Sequence, residues 1–227
     1  KYDHTPWRNA WDAVLTSAGI VAPIVFGVAF ANVILGLPFD VESSSMRALY
    51  HGSFWELFTP FALFCGVLSL LMHITHGATL LAWRVVDPVA SRARRLGIVS
   101  AILVAILFAL GGFWVAALDG HVITSTIDPN AASNPLNKTV ALMEGAWLTN
   151  FSKWPWLWIG PILGIVGALA TSLFLALRRP ITAFITSATS IAGIISTVGF
   201  AIFPFILPSS ANPSIGLTVW DSSSSQL

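Results

Sequence analysis

The stretch Leu96–Leu118, LGIVSAILVAILFALGGFWVAAL, decides the fold class, because it runs from end to end without a charged side chain. A helix that crosses the hydrocarbon core of a bilayer needs roughly 20 apolar residues in a row. The stretch also lacks the alternation of apolar and polar residues that is typical of a membrane-spanning strand. Because a helix satisfies its backbone hydrogen bonds internally, as lipid requires, the stretch predicts a transmembrane helix.

Four further stretches have the same character, and the five together predict an all-α bundle of transmembrane helices. The predicted spans are 13–37, 57–83, 96–118, 156–177 and 183–207, in a single transmembrane domain over residues 1–227. The segment 119–155 is long, polar and rich in Asn, Ser and Pro, so we expect it to form a cap on one side of the membrane. Between the last two spans, Arg178, Arg179 and Pro180 leave only a tight turn, which makes these helices antiparallel neighbours.

The composition agrees with a membrane protein and excludes several other classes. Charged residues make up 9% of the chain, hydrophobic residues 56%, and the mean hydropathy is +0.79. A soluble domain usually carries about 25% charged residues. The net charge of +1 lacks the basic excess that a nucleic-acid-binding surface needs. Cys65 is the only cysteine in the chain, which excludes an intrachain disulfide and a cysteine metal cluster.

The basic residues predict the orientation of the chain. Lys and Arg accumulate in the short loops that face the cytoplasm. In the five-span arrangement, eight of them fall on the same side of the membrane as the N-terminal end and three on the opposite side. We therefore expect the N-terminal end inside and the C-terminal end outside. The three are Arg47, Lys138 and Lys153; the eight are Lys1, Arg8, Arg84, Arg92, Arg94, Arg95, Arg178 and Arg179.

Two histidines in the second span are candidates for chemistry. His73 and His76 lie three residues apart and so share one face of the helix. They could ligate haem iron or another metal, or they could be polar packing residues bonded to neighbouring helices. Two histidines one turn apart cannot supply opposite axial positions of one haem, and no third ligand is evident nearby. The sequence therefore favours packing, with at most one of the two serving a proton path.

Asp119 and His121 follow directly on the third span. As a pair they could pass protons or bind a polar headgroup. The sequence Asp-Gly-His at a helix end is more typical of a solvated turn, in which Gly120 supplies the unusual backbone angles. We therefore expect a solvated turn at this position.

Several stretches, in order along the whole chain, resemble the second subunit of bacterial cytochrome bd-type quinol oxidases. The chain begins at Lys1 and ends in SSSSQL, and we expect it to be the central segment of that longer, nine-helix subunit. Within Phe26–Asn32, Ala31 stands where that family commonly has Gly. The matching stretches are Trp7–Asp12, Phe26–Asn32, Ala131–Lys138, Phe203–Phe205, Pro208–Ser210, Trp220–Asp221 and Ser224–Leu227.

The resemblance implies a non-haem subunit of a terminal respiratory oxidase. Such a complex oxidises quinol, reduces dioxygen to water and generates a proton motive force across the bacterial cytoplasmic membrane. Subunit I would carry haems b and d. This chain would bind no haem itself, would scaffold subunit I, and would contribute to quinone, proton or oxygen access, with a structural quinone in some members. Other expected partners are a small accessory subunit and membrane lipid.

The resemblance also singles out positions in this chain. His76, followed by Gly77-Ala78-Thr79, stands where some relatives have Gln, so the resemblance implies no obligatory ligand role for it. We expect no catalytic residue and no metal site in this chain. The candidate cofactor-binding or structural residues are His76, Asn32, Asp119, His121, Asn134 and Asp221.

Three other functions are compatible with five apolar helices. A secondary transporter would place broken helices and polar groups at the midplane, where this chain has few. A membrane cytochrome would bind haem through His73 or His76. A scaffold without a catalytic partner would carry no haem at all.

Overall fold

The structure, a computed structural model, describes residues 5–126 and 134–222. Within these residues, five helices are long and apolar enough to cross a membrane, which confirms the predicted helical bundle. A sixth helix, α4, has only five residues. The helices are α1 (Thr5–Leu35), α2 (Pro60–Arg84), α3 (Val89–Ala116), α4 (Thr149–Lys153), α5 (Ile159–Ala176) and α6 (Pro180–Ile202).

The helix ends differ from the predicted spans in ways that hydropathy cannot detect. α3 begins at Val89 rather than at residue 96, because the helix continues through Arg92, Arg94 and Arg95 as it leaves the apolar region. α6 ends at Ile202 although the apolar run continues to residue 207. Phe203 adopts an extended backbone there, and Pro204 has no amide hydrogen for a further helical bond.

The first two helices also have shifted ends. α1 begins at Thr5 rather than residue 13 and ends at Leu35, just before Gly36, whose φ of +80° lies in the left-handed region. α2 begins at Pro60 rather than residue 57. The hydroxyl of Thr59 accepts a bond from the amide of Ala62 and caps this helix.

Close backbone contact holds α5 and α6 together. A Cβ atom added at Gly193 of α6 would lie 2.5 Å from the amide nitrogen of Gly164 and 2.7 Å from the carbonyl oxygen of Gly160. Small residues allow membrane helices to approach this closely, and dispersion contacts then stabilise the pair. α3 packs against both α2 and α5, and α2 packs against α1, α3 and α6.

All of the described strands lie at one end of the bundle, in the connections from α1 to α2 and from α3 to α4 and in the segment after α6. They form three antiparallel pairs, so the described part of the chain is not purely helical. We call this end the cap end and the opposite end, with Arg84, Arg178 and Arg179, the arginine end. The pairs are β1 (Phe39–Val41) with β2 (Ala48–Tyr50), β3 (Asp119–Ile123) with β4 (Val140–Glu144), and β5 (Phe205–Leu207) with β6 (Leu217–Thr218).

α1 lies at the margin of the bundle and packs mainly against α2. Much of its length is exposed, including Leu15 and Phe26. Its exposed hydroxyl groups bond back to the helix itself: Thr16 donates to the carbonyl of residue 12 and Ser17 to that of residue 13. Between Ala13 and Phe30, the exposed side chains of α1 are therefore apolar or hydrogen-bonded within the helix.

Candidate functional site

His121 is buried in an aromatic cluster in the cap. Its side chain is on β3 and only 7% of the residue is exposed. The ring centroid lies 5.5 Å from that of Trp147 and 5.6 Å from that of Phe205. Nε2–H of His121 donates to the backbone carbonyl of Ser209 at 3.0 Å. The histidine therefore joins the β3–β4 hairpin to the segment after α6.

Burial lowers the pKa of His121 below its ordinary value of 6.5, because the charged ring loses its hydration. The hydrogen bond to the Ser209 carbonyl acts in the opposite direction and is the smaller effect. Since the carbonyl fixes the proton on Nε2, Nδ1 is an acceptor, and it has no hydrogen-bond partner among the described residues. Protonation would place a charge and an unpaired N–H group in this cluster.

The expectation of a solvated turn at Asp119–His121 is wrong. These residues form the start of β3, where Asp119 pairs with Glu144 and His121 with Leu142. Gly120 is buried, and an added Cβ there would lie 2.7 Å from the amide nitrogen of Trp147, so its small size serves close packing. Asp119 is exposed whereas His121 is buried. A joint role of the two in proton or headgroup binding stays a prediction.

A buried ion pair ties two distant parts of the cap together. Nζ of Lys138 lies 2.5 Å from Oδ2 of Asp221, with side-chain exposures of 2% and 9%. Lys138 also donates to the carbonyl of Pro135, and Asp221 accepts from the amide of Thr218. Opposite charges removed from water need such additional hydrogen bonds to offset their lost hydration. The pair joins the segment before β4 to the turn after β6.

The two candidate asparagines make local structural bonds. Asn32 is buried near the end of α1, and Nδ2 donates to the carbonyls of Val28 and Leu57, each at 2.8 Å. It thereby connects α1 to the turn before α2. Oδ1 of Asn134 accepts from the amide of Leu136 at 2.9 Å and stabilises the turn ahead of Lys138. A role in cofactor binding stays a prediction for both residues.

His76 forms a bond between two helices near the arginine end. Its Nδ1 lies 2.8 Å from the hydroxyl of Ser187 on α6. The Ser187 hydroxyl donates to the carbonyl of Phe184, so it accepts from His76. The imidazole also stacks on the Phe184 ring at 4.5 Å. These contacts agree with the polar-packing interpretation of His76.

His73, one turn earlier on α2, is exposed, and its Nδ1–H donates to the carbonyl of Ser69 at 2.8 Å. The two histidines project from one side of α2, which does not fit the opposed axial ligands of a haem. In the ranges 5–126 and 134–222, no group of three or more His, Cys, Asp or Glu side chains could hold a metal ion.

Comparison with known proteins decides the family. The family model described as "Cytochrome bd terminal oxidase subunit II" matches residues 1–227. The chain belongs to the cytochrome bd terminal oxidase subunit II family. This agrees with the resemblance predicted from the sequence stretches. Of those stretches, Ala131–Ser133 and Ser224–Leu227 lie outside the described residues.

Similar proteins come from several bacteria. The chain is 45% identical over 227 residues to "Probable cytochrome oxidase subunit 2" of Haemophilus influenzae, and 45% identical over 228 residues to "Cytochrome bd-I ubiquinol oxidase subunit 2" of Escherichia coli K12. Each comparison covers 100% of this chain and 60% of the relative. A "Cytochrome bd ubiquinol oxidase subunit 2" of Bacillus subtilis is 27% identical over 109 residues, which are 47% of this chain and 31% of that protein. The chain thus spans about three fifths of the length of its first two relatives.

The sequence did not reveal which side chains contact the candidate residues in the folded chain. Lys138 and Asp221 are 83 positions apart, and only the fold of the cap brings them together. Ser187 carries no sequence signal beyond a hydroxyl on an apolar helix. Trp147 could have been noticed as an aromatic residue in a polar loop, and it is 1% exposed.

Proposed function

We propose that this chain is the central part of the non-haem subunit of a terminal oxidase that oxidises quinol and reduces dioxygen to water. The observation that carries the proposal is the family match along all 227 residues, combined with five membrane-length helices in the described part. The Escherichia coli relative, a ubiquinol oxidase subunit by name, supports quinol as the electron donor. Reduction of dioxygen by the complex would generate a proton motive force.

The role of this chain in such a complex is that of a scaffold. Three of its buried or half-buried polar contacts hold the chain together: His76 bonds to Ser187, Asn32 to Leu57, and Lys138 to Asp221. The large apolar faces of α1 and α3 are exposed and suit contact with another membrane-embedded surface. Contributions to quinone, proton or oxygen access would be made at such contacts.

Haems b and d belong, in this proposal, to the partner subunit I. His73 and His76 lie on one side of α2, and Nδ1 of each ring is held by Ser69 or Ser187. This arrangement supports packing roles rather than the ligation of one haem by both rings. A structural quinone, a small accessory subunit and membrane lipid complete the proposed set of partners.

We place the arginine end in the cytoplasm and the cap outside the bacterial cytoplasmic membrane. Support comes from Arg84, Arg92, Arg94, Arg95, Arg178 and Arg179, which all lie in the short connections or helix ends of the arginine end. The described residues of the cap contain three basic side chains, Arg47, Lys138 and Lys153. The asymmetry follows the positive-inside rule.

A reduced-minus-oxidised absorption spectrum tests the proposal. The full-length protein would be purified in detergent through a tag on this subunit alone. The expected result is b- and d-type haem bands together with a second large subunit, and loss of the bands when that subunit is removed. Haem that stays with the isolated tagged subunit would instead favour the alternative of a membrane cytochrome, and substitution of His73 and His76 would then test whether they are the ligands. A second subunit that copurifies without any haem would contradict the oxidase assignment.

A further inference from the structure

Three parts of the cap meet at Ser209, which is fully buried after α6. Its backbone carbonyl accepts from Nε2–H of His121 on β3, and its hydroxyl donates to the carbonyl of Phe39 on β1 at 2.6 Å. Leu37 forms two further backbone hydrogen bonds with Pro208–Ser210, each 3.0 Å long. The segment after α6 therefore holds both the connection from α1 to α2 and the β3–β4 hairpin. We call the contacts of Leu37, Phe39 and His121 with Pro208–Ser210 the Ser209 junction.

Three buried polar atoms beside this junction have no hydrogen-bond partner within residues 5–126 and 134–222. They are Nδ1 of His121, Nε1 of Trp147 and Oγ1 of Thr218. The rings of His121 and Trp147 both contact Phe205, and Thr218 is paired with Phe205 between β5 and β6. A polar group that is buried without a partner is unfavourable, because its hydrogen bonds to water are not replaced. Opening of the junction would return all three groups to water.

Protonation of His121 makes the closed junction less favourable still. In the neutral ring, Nδ1 is an acceptor, because Nε2 donates to Ser209. In the protonated ring, Nδ1–H becomes a donor without an acceptor, and the charge is buried against Trp147 and Phe205. The faces of these rings attract a cation but replace neither its hydration nor the missing acceptor. Burial accordingly lowers the pKa of His121, so acid favours the open form.

The charged groups around His121 do not offset this effect. The turn before α4, β5, β6 and the segment between these two strands contain no charged residue. On the hairpin itself, Asp119 and Glu144 pair at the start of the ladder, but both are exposed, so water and salt screen their attraction for the ring. Lys138 and Asp221 bind each other. His121 is therefore the group of the cluster on which mild acid acts.

We propose that His121 is a pH-sensitive latch of the cap, and that its protonation from the outer solution opens the Ser209 junction. The protonated ring leaves the aromatic cluster for water and separates the β3–β4 hairpin from the segment after α6. Trp147 and Thr218 gain hydration in the same step. The long helices stay packed, since α5 contacts α6 and α2 contacts α3 directly. The outer location follows the proposed orientation, whereas the latch itself rests only on the contacts within the cap.

Hydrogen exchange at two pH values tests the latch in the purified full-length complex. The reporting amides are those of Leu37 and Ser210, which close the junction, and their exchange rates are corrected for the intrinsic effect of pH. At about pH 5.5, a hydrated histidine with the ordinary pKa of 6.5 is about ten times more often protonated than neutral. The open form should therefore be up to about tenfold more populated at about pH 5.5 than at about pH 7.5, with no change in the amides of α5 and α6. An unchanged junction, or an equal increase in α5 and α6, overturns the inference.

Substitutions of two histidines assign the effect. His121→Gln keeps an N–H donor for the Ser209 carbonyl but does not titrate, so the pH dependence of the junction should disappear. His121→Phe, which refills the aromatic cluster without a titrating group, should behave in the same way. His51→Gln is the matched control, because His51 is an exposed histidine of the cap, and the pH dependence should remain. Each variant is compared with itself at the two pH values, so a change in its basal stability does not affect the result. A pH dependence that persists in His121→Gln, or that is lost in His51→Gln, overturns the inference.

The haem spectrum is independent of this test. If the junction shows no pH dependence while haem copurifies, the latch is wrong and the proposed function stands. If the junction opens in acid but the copurifying subunit contains no haem, the latch stands and the oxidase assignment is wrong.

Discussion

Breaking the buried pair of Lys138 and Asp221 should open the cap. Lys138→Met removes the ammonium and leaves the Asp221 carboxylate in a site where its side chain is 9% exposed. Removing one member of a buried ion pair costs about 3–5 kcal/mol, because that member no longer offsets the hydration lost by the remaining charge. Since about 1.4 kcal/mol is a factor of ten, the open form of this segment should become at least about 100-fold more populated.

Hydrogen exchange read by mass spectrometry measures this opening in the purified full-length protein. The reporting amides are Thr218, which bonds to Asp221, and Ser222, which bonds to the Thr218 carbonyl. Local opening exposes such amides to exchange, so their rates report the free energy of opening. Lys153→Met is the control, because Lys153 is exposed, and its substitution should change opening by less than about 0.5 kcal/mol.

A double substitution provides the decisive comparison. Lys138→Met with Asp221→Leu replaces both charges by apolar side chains, which is often nearly neutral for a buried pair. The double variant should therefore be more stable than either single variant, with a coupling free energy of about 2–3 kcal/mol. Additive losses in the double variant, or a loss below about 1 kcal/mol in Lys138→Met, would refute the reasoning.

Three further predictions concern the cap and the helix contacts. Burial lowers the pKa of His121 in the folded cap, so the stability of the cap should be constant above pH 6.5. It should fall as the pH drops from 6.5 towards the pKa of the folded state, because only the unfolded form binds the proton there. Hydrogen exchange should show no such pH dependence in His121→Phe, and a pH dependence that persists would assign it to another group. Gly193→Ala should destabilise the protein by about 1–3 kcal/mol, because the added Cβ meets backbone atoms of α5. Gly199→Ala adds a Cβ with no atom within 4 Å, so it should be neutral or stabilising by up to about 1 kcal/mol. Equal melting temperatures for the two variants would contradict this. Asn134→Ala removes the hydrogen bond to the Leu136 amide, which contributes about 1 kcal/mol. The substitution should lower the yield of the complex more than it lowers the turnover per haem. A normal yield with lost turnover would contradict a structural role.

The sequence predicts the membrane helices well, because hydropathy reports directly on the surroundings of each side chain. It predicts helix ends less well, because a helix does not have to begin or end where the apolar run of residues does. Arg92 and Arg94 continue α3 beyond the apolar region, since arginine is a good helix former. Pro204 ends α6 inside an apolar run, and Phe205 then joins a strand.

The long polar segment 119–155 predicted a cap, but the strands and contacts within the cap could not be predicted, because they join positions far apart in the chain. β3 and β4 are separated by the segment 124–139, and a strand of five residues between polar loops gives a weak pattern. His121 looked solvated because its neighbours in sequence are polar; Trp147 and Phe205, which bury it, come from elsewhere. The candidate list still named His121, Asn32 and Asp221, three residues that hold the cap or the helices together.

The hydroxyl bonds of α1 bear on the order in which the protein is assembled. Thr16 and Ser17 are satisfied by carbonyls of their own helix, so these two hydroxyl groups need no neighbouring helix to offset the loss of water when α1 enters lipid. The packing of α1 against α2 can then follow the insertion of both helices, as in two-stage folding of membrane proteins.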